Sequence, residues 1–311
     1  MNDANPATTA SVPGRCPLRG RRLRHRQACR ARHDARRRSP GRWFSALGVA
    51  LATVGCAPPG PQAPASAVER LREPRVMEAP PRLTLSLLRN GPPAAPLLVL
   101  VHGTPGSASG WADYLLSPPE GMAVVALDRP GFGHSEPEGA VTGLAEQAAA
   151  VAALLPADGR PVVLLGHSLG GAVVARVAAE HPAQVTGLVL LAASLDPAQE
   201  SIHPMQHVGA WAPVRGLLPR ALRNANAELM AFKPELLALA PLLPRIRAKV
   251  VIVHGTQDDL VPVANVPYMQ ARLSGARCVR TLWLEGRNHF LPWNSADVVR
   301  EAVRQALEPA C

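Results

Sequence analysis

The chain has few aromatic residues and, over most of its length, no excess of charge. Phe, Trp and Tyr make up 4% of its 311 residues, which leaves few rings for stacking on bases. The formal net charge of +10 originates at the N-terminus, where residues 1–55 hold 12 of the 33 basic residues but only Asp3 and Asp34 among the 23 acidic ones. The rest of the chain carries 21 charges of each sign. Because a nucleic-acid-binding protein needs a basic face, we expect no nucleic-acid partner.

The apolar run nearest the N-terminus, residues 43–56, is too short to span a bilayer as a stable helix. Arginines precede it and small residues end it, which is typical of a secretory signal peptide. Its end, Thr53-Val54-Gly55-Cys56, resembles the lipobox of bacterial lipoproteins, with Cys56 as the lipid-bearing residue. We therefore expect an exported lipoprotein, anchored through Cys56 to a membrane of a bacterial cell envelope. An ordinary signal peptide cut near Ala57 and an uncleaved anchor are the alternatives.

Further along the chain, short apolar runs alternate with helical patterns. Runs without polar alternation are typical of strands buried on both faces, and they occur at residues 97–101, 122–127, 162–165, 185–193, 249–254 and 278–284. A partly alternating run at residues 83–88 predicts an edge strand. Strands that alternate with helices predict an α/β fold, with a mainly parallel, doubly wound sheet between helices and a ligand site at the carboxyl ends of its strands.

Composition divides the chain into four parts. Residues 1–55 form the basic leader and lipoprotein-type signal peptide, and residues 56–81 a Pro/Ala-rich tether. Residues 82–193 and 245–311 form the α/β core. Residues 194–244 contain seven prolines among short apolar helical pieces, so they are too long for a simple loop and predict a small helical cap.

Two cysteines lie late in the core. Export would place Cys278 and Cys311 in an oxidising compartment, where a disulfide between them could form. The sequence leaves open whether they pair or remain two free thiols.

Ser168 lies at the junction between an apolar strand pattern and an Ala/Val-rich helical pattern. Gly166 and Gly170 leave room for a sharp turn, so Gly-His-Ser-Leu-Gly matches the nucleophile elbow G-x-S-x-G. The helix that follows would point the backbone amide of Leu169 at a developing oxyanion. A chance glycine-rich turn is the alternative, but the preceding strand and the following helix favour the catalytic interpretation.

A serine nucleophile needs a base within hydrogen-bonding reach and a carboxylate that orients the base. Asp258 and Asp259 follow the apolar run at residues 249–254, and His289 follows the run at residues 278–284. The order Ser, Asp, His is that of α/β-hydrolases. With these motifs, the chain resembles the α/β-hydrolase fold superfamily, in the group of small capped esterases and C–C hydrolases, over about residues 82–308.

This resemblance implies a role for each residue that matches a family motif. Ser168 would be the nucleophile and His289 the general base. Asp258 matches the acid of the G-x-x-D-x-x-V-P pattern at residues 255–262, with Asp259 as the alternative. In the loop at residues 102–106, Thr104 would supply a second backbone amide to the oxyanion hole beside that of Leu169.

The resemblance also implies an activity. We expect a serine hydrolase that cleaves a small ester or related carbonyl substrate through an acyl-enzyme, without a metal or an organic cofactor. Acyltransfer, perhydrolysis and C–C hydrolysis would use the same residues. A catalytically silent, lipid-anchored binding protein is the alternative from another class, and the presence of all three triad candidates argues against it. The sequence leaves the oligomeric state open.

His203 and His207 lie four residues apart in the predicted cap. This spacing would suit two metal ligands on a helix, but no third ligand follows nearby. A structural or substrate-facing role is therefore the expectation for both.

Overall fold

The computed structural model describes residues 65–77, 82–308 and 311. The predicted leader, the predicted signal peptide and the predicted lipidation site at Cys56 lie outside the described residues. No helix within the described ranges is both long enough and apolar enough to span a bilayer.

Eight strands form one sheet in the order β1-β2-β4-β3-β5-β6-β7-β8. Strands β3 to β8 run parallel to one another, and β1 and β2 pair antiparallel at one side of the sheet. This arrangement confirms the predicted α/β fold with a mainly parallel sheet. The strands are β1 (Arg72–Val76), β2 (Thr84–Asn90), β3 (Leu97–Val101), β4 (Ala123–Leu127), β5 (Val162–His167), β6 (Gly187–Leu191), β7 (Lys249–Gly255) and β8 (Cys278–Leu284).

Helices cover both faces of the sheet. They are α1 (Ala65–Glu69), α2 (Ala112–Leu116), α3 (Leu144–Ala152), α4 (Leu169–Glu180), α5 (Pro204–Ala210), α6 (Ala212–Leu217), α7 (Arg220–Leu239), α8 (Asn265–Arg272), α9 (Leu291–Asn294) and α10 (Ala296–Leu307). Short 3₁₀ helices span Ala108–Trp111 and Leu243–Arg245.

The central strands are buried on both faces, which explains their unbroken apolar sequences. In β5, Val162 and Leu164 pack into the core cluster to which α3, α4 and α8 contribute. Val163 and Leu165 point the other way, into the cluster to which α2 and α10 contribute. Because neighbouring side chains of a strand point to opposite faces, a strand covered on both sides has no polar position.

The prediction that residues 83–88 form an edge strand is wrong. They belong to β2, which lies between β1 and β4, and β1 is the edge strand. The sequence of β1, Arg-Glu-Pro-Arg-Val, is mostly exposed and has no apolar pattern. Two contacts hold β1 in position. It pairs with β2, and Arg72 Nη1 donates a hydrogen bond to Asp128 Oδ2 over 2.9 Å. Helix α1 and β1 thus lie within residues 56–81, which the composition assigns to the tether.

Between β6 and β7 the chain forms α5, α6 and α7. The first two helices bury no residue, whereas α7 buries one side with Phe232, Leu236 and Leu239 against the core. These helices lie within residues 194–244, and their assignment to a separate cap remains a prediction.

A disulfide joins Cys278, at the start of β8, to Cys311. Their Cα atoms are 6.1 Å apart, within the usual range for a disulfide. Of the two possibilities that the sequence left open, the structure has the paired one.

Candidate active site

The three predicted catalytic residues lie at one edge of the sheet. Ser168 directly follows β5, Asp258 comes three residues after the end of β7, and His289 comes five residues after the end of β8. Because these strands are parallel, their carboxyl ends meet at the same edge.

Ser168 occupies a strained turn between β5 and α4. Its φ is 57° and its ψ is −129°, a backbone conformation that non-glycine residues rarely adopt and that costs about 1–3 kcal/mol. A Cβ on Gly166 would collide with the carbonyl oxygen of Gly170, and a Cβ on Gly170 would lie 2.5 Å from the carbonyl oxygen of His102. Both glycines are therefore required by the close packing of the turn, as the motif predicts.

The loop at residues 102–106 lies against this turn. A Cβ on Gly103 would come within 2.8 Å of the Ser168 Cβ and 3.3 Å of its Oγ. The backbone amides of Thr104 and Leu169 have no acceptor among the described residues. Free amides of this kind next to a serine are the donors that an oxyanion hole requires. The Thr104 hydroxyl is buried and also without a partner within the described chain.

Asp258 and His289 are hydrogen-bonded to each other. His289 Nδ1 donates to Asp258 Oδ2 over 2.8 Å, and both residues are buried. The backbone amides of Leu260 and Val261 donate to the other oxygen, Oδ1, over 3.0 and 2.8 Å. Asp259, the alternative acid, is exposed. The structure thus joins Asp258, rather than its neighbour, to the histidine.

Two opposing effects act on the Asp258 carboxyl. Burial raises its pKa, but the hydrogen bond from His289 and those from the backbone stabilise the charged form, and the net pKa lies below its ordinary value. Asp258 therefore carries a negative charge at neutral pH, as an orienting carboxylate must.

The Ser168 hydroxyl has no hydrogen bond to the His289 ring within the described part of the chain. Hydrogen bonds between a nucleophile and its base are often long before substrate binds, so this geometry is compatible with catalysis.

His167 is a neighbour of the site whose contact the sequence did not predict. Its ring lies 4.7 Å from the His289 ring between centroids, and its Nε2 donates to the His289 carbonyl oxygen over 3.0 Å. Burial, together with the nearby His289, lowers the pKa of His167 to about 3, so the ring is neutral. His167 thus fixes the backbone of the predicted base from the position next to the nucleophile.

The predicted cap histidines have other partners. His203 begins α5, where its Nδ1 accepts a hydrogen bond from the Met205 amide over 3.2 Å. His207 is exposed. Residues 65–77, 82–308 and 311 contain no cluster of His, Cys, Asp and Glu side chains that would suit a metal ion.

The comparisons with known proteins agree with this fold. Residues 96–216 match the family model of the alpha/beta hydrolase fold. A non-heme chloroperoxidase from Streptomyces lividans is 41% identical over 223 residues, which cover 57% of this chain and 79% of that protein. The chain belongs to the α/β-hydrolase fold family.

Other α/β-hydrolase relatives differ in sequence identity and in coverage. A pimeloyl-[acyl-carrier protein] methyl ester esterase from Aeromonas hydrophila is 28% identical over 231 residues, 59% of this chain and 85% of that protein. The enol-lactonase from Burkholderia xenovorans LB400 superposes with a TM-score of 0.59 at 18% identity, over 75% of this chain and 99% of that one. The chain spans very different shares of its curated relatives. One further match covers only 26% of the relative's length.

Proposed function

We propose that this α/β-hydrolase is a serine hydrolase that cleaves a small ester or related carbonyl substrate through an acyl-enzyme. Ser168 is the nucleophile, His289 the general base and Asp258 the carboxylate that orients it. The observation that carries the proposal is the buried 2.8 Å hydrogen bond between His289 and Asp258, at the sheet edge that also holds the strained Ser168 turn.

The hydrogen bond determines which nitrogen of His289 acts as the base. Since Nδ1 carries the ring proton and donates a hydrogen bond to the Asp258 carboxylate, Nε2 has a free lone pair and can accept the Ser168 proton. Asp258 then stabilises the imidazolium that forms. The carboxylate itself stays unprotonated throughout.

The reaction has two halves. Ser168 Oγ attacks the substrate carbonyl carbon while His289 takes its proton, and the carbonyl oxygen becomes an oxyanion that accepts hydrogen bonds from the Thr104 and Leu169 backbone amides. The intermediate collapses, the bond to the leaving group breaks, and protonated His289 gives its proton to the departing alkoxide oxygen, which leaves as the alcohol. Water then repeats these steps on the acyl-enzyme, which releases the carboxylic acid and restores the Ser168 hydroxyl.

The relatives support an ester as the first substrate class to test, because one of them is named as a methyl ester esterase. Acyltransfer, perhydrolysis and C–C hydrolysis would use the same residues and are tested with the same protein. The catalytically silent binding protein is the competing function.

Labelling with a fluorophosphonate probe separates an enzyme from a catalytically silent binding protein, because the probe reacts only with an activated serine. We expect the purified protein to be labelled on Ser168, and the Ser168→Ala and His289→Ala variants to remain unlabelled. Ser274→Ala and His207→Ala change exposed residues and serve as matched controls that keep the labelling. A folded wild-type protein that stays unlabelled and turns over no ester in an acyl-chain and lactone panel would favour the binding protein.

The same proposal places the protein in a bacterial cell envelope, anchored to the membrane through a lipid on Cys56. The Cys278–Cys311 disulfide supports export, because disulfides persist mainly in oxidising compartments. Intact-mass analysis of membrane-extracted protein tests the anchor: we expect a chain that begins at a diacylglyceryl-modified Cys56. A chain that still begins upstream of Ala52 would contradict it.

A further inference from the structure

A buried ion pair connects the core to helix α7. Arg129 Nη1 lies 2.6 Å from Glu228 Oε1 and Nη2 lies 3.0 Å from Oε2, with side chains that are 0% and 3% exposed. The cost of removing both charges from water offsets most of the attraction in such a pair, so it is weak evidence for a role in stability alone.

The remaining donors of Arg129 point to the loop beside Ser168. Arg129 Nε donates to the His102 carbonyl oxygen over 3.0 Å, and Nη2 donates to the Gly103 carbonyl oxygen over 3.0 Å. The Gly103 carbonyl and the Thr104 amide belong to one planar peptide group. A side chain that fixes this carbonyl therefore also fixes the direction of the Thr104 N–H.

His102 is a second donor to the same carbonyl. Its Nε2 accepts a hydrogen bond from the Arg129 amide over 3.0 Å, so the ring proton is on Nδ1, which lies 2.7 Å from the Gly103 oxygen. Burial, and next the nearby Arg129 charge, hold the pKa of His102 well below its ordinary value, so the ring keeps this neutral form. The Gly103 oxygen thus accepts hydrogen bonds from two buried side chains.

We propose that Arg129, held in place by Glu228, is a positioning residue of the oxyanion hole: it orients and polarises the Gly103–Thr104 peptide, whose N–H meets the substrate oxyanion. Each hydrogen bond to the carbonyl draws electron density from the amide and strengthens its N–H as a donor, by about 10–30% per bond. This inference rests on the proposed serine-hydrolase function. The inference adds Glu228, from the helical segment between β6 and β7, to the residues on which the proposed function depends.

Glu228 is itself fixed from a second side. Gln147 Nε2 donates to Glu228 Oε1 over 3.1 Å, and also to the Pro130 and Val141 carbonyl oxygens over 3.1 and 2.9 Å. The carboxylate therefore has one position, and so has the guanidinium that it holds. A donor set fixed before the substrate arrives needs no reorganisation in the transition state.

The test compares Arg129→Lys and Glu228→Gln with the wild-type protein, all as full-length chains. Arg129→Lys keeps the charge but loses the planar fork that reaches the carboxylate and both carbonyls at once. Glu228→Gln keeps the shape and one acceptor oxygen, and it decides the question if Arg129→Lys does not fold. Glu235→Gln is the matched control, because Glu235 also lies on α7 but accepts its hydrogen bond from the Leu144 amide, over 2.7 Å, and not from Arg129.

Three quantities are measured: kcat per fluorophosphonate-titrated site, KM for 4-nitrophenyl butyrate, and Ki for an alkyl trifluoromethyl ketone, to which Ser168 adds to form a hemiketal oxyanion. For Arg129→Lys we expect kcat to fall about 10- to 100-fold, somewhat less than for complete loss of a donor, with KM within about twofold. The Ki should rise by a similar factor, because the hemiketal oxyanion occupies the same site. Glu228→Gln should show a smaller loss of the same type, and Glu235→Gln none.

The readouts separate this inference from a purely structural role. A structural role would reduce the number of titratable sites and the melting temperature but leave kcat per site and Ki at wild-type values, and that result in every variant that folds would overturn the inference. A wild-type protein without labelling or turnover would instead refute the serine-hydrolase proposal itself.

Discussion

Gly170→Ala tests whether the close packing of the Ser168 turn determines both stability and activity. The added Cβ would lie 2.5 Å from the His102 carbonyl oxygen and 2.6 Å from that of Val101, whereas ordinary contact begins at 3.4 Å. Both neighbours are backbone atoms at the end of the central strand β3, which is hydrogen-bonded on both sides. The turn and the strand must therefore move apart.

The magnitude follows from the cost of overpacking. An extra methyl group in a well-packed interior costs about 1–3 kcal/mol, and we expect the upper end because no flexible side chain can give way. At about 2–4 °C per kcal/mol for a domain of this size, the melting temperature should fall by about 6–12 °C. Since the displacement moves Ser168 away from the loop of Thr104, the rate per folded molecule should fall about 100-fold, the effect of a misplacement of about 1 Å.

Urea and thermal unfolding measure the first effect, and ester hydrolysis per fluorophosphonate-titrated site measures the second. Gly216→Ala is the matched control: Gly216 lies in helix α6, no other segment of the described chain comes within 4 Å of the added Cβ, and alanine should stabilise the helix by up to about 1 kcal/mol. If Gly170→Ala unfolds like the wild-type protein and keeps its rate, the packing argument for the nucleophile turn is wrong.

Three further predictions concern the acid, a buried histidine and the disulfide. Asp258→Asn should lower kcat about 10⁴-fold, because an amide stabilises the wrong tautomer of His289, and steady-state kinetics should show no such loss for Asp259→Asn. Burial holds the pKa of His167 at about 3 in the folded chain, against 6.5 for an exposed histidine. Burial of the neutral His167 ring is therefore without a protonation cost above pH 6.5. Towards pH 3 the free energy of unfolding falls, by about 1.4 kcal/mol per pH unit. In urea titrations at pH 7 and 5, the free energy of unfolding of His167→Asn should fall less on acidification than that of the wild-type protein. An equal fall in both proteins would contradict this. Cys311→Ser should lower the free energy of unfolding by about 2–4 kcal/mol, and dithiothreitol should do the same to the wild-type protein but not to the variant.

The central sheet could be predicted from the sequence because burial on both faces leaves a strong local signal. A run such as residues 97–101 has no polar position and is too short for a buried helix, so little else fits it. Strand β1 carries no such signal. Its residues are mostly exposed, and the contacts that place it, with β2 and with Asp128, come from later in the chain.

The candidate site was predictable to the extent that it depends on strand ends. Ser168, Asp258 and His289 each follow a recognisable apolar run, and the structure brings the last two into contact, although their roles remain proposals. The contact of His167 with His289 was not predictable, because it depends on how the end of β5 and a loop 122 residues later in the chain approach each other. The sequence shows a histidine next to the nucleophile, but it does not show which residue that histidine contacts.

The Arg129–Glu228 pair shows why the helical segment between β6 and β7 cannot be treated as independent of the catalytic core. It joins residues 99 positions apart, and neither is exceptional in the sequence. Removing one partner of a buried ion pair leaves an uncompensated charge, at a cost of about 3–5 kcal/mol. A replacement of this segment that lacks a carboxylate at the position of Glu228 would leave Arg129 buried without its counter-charge, directly beside the Gly103–Thr104 peptide. The segment predicted to form the cap is therefore tied to the loop expected to bind the oxyanion, and changes in one alter the other.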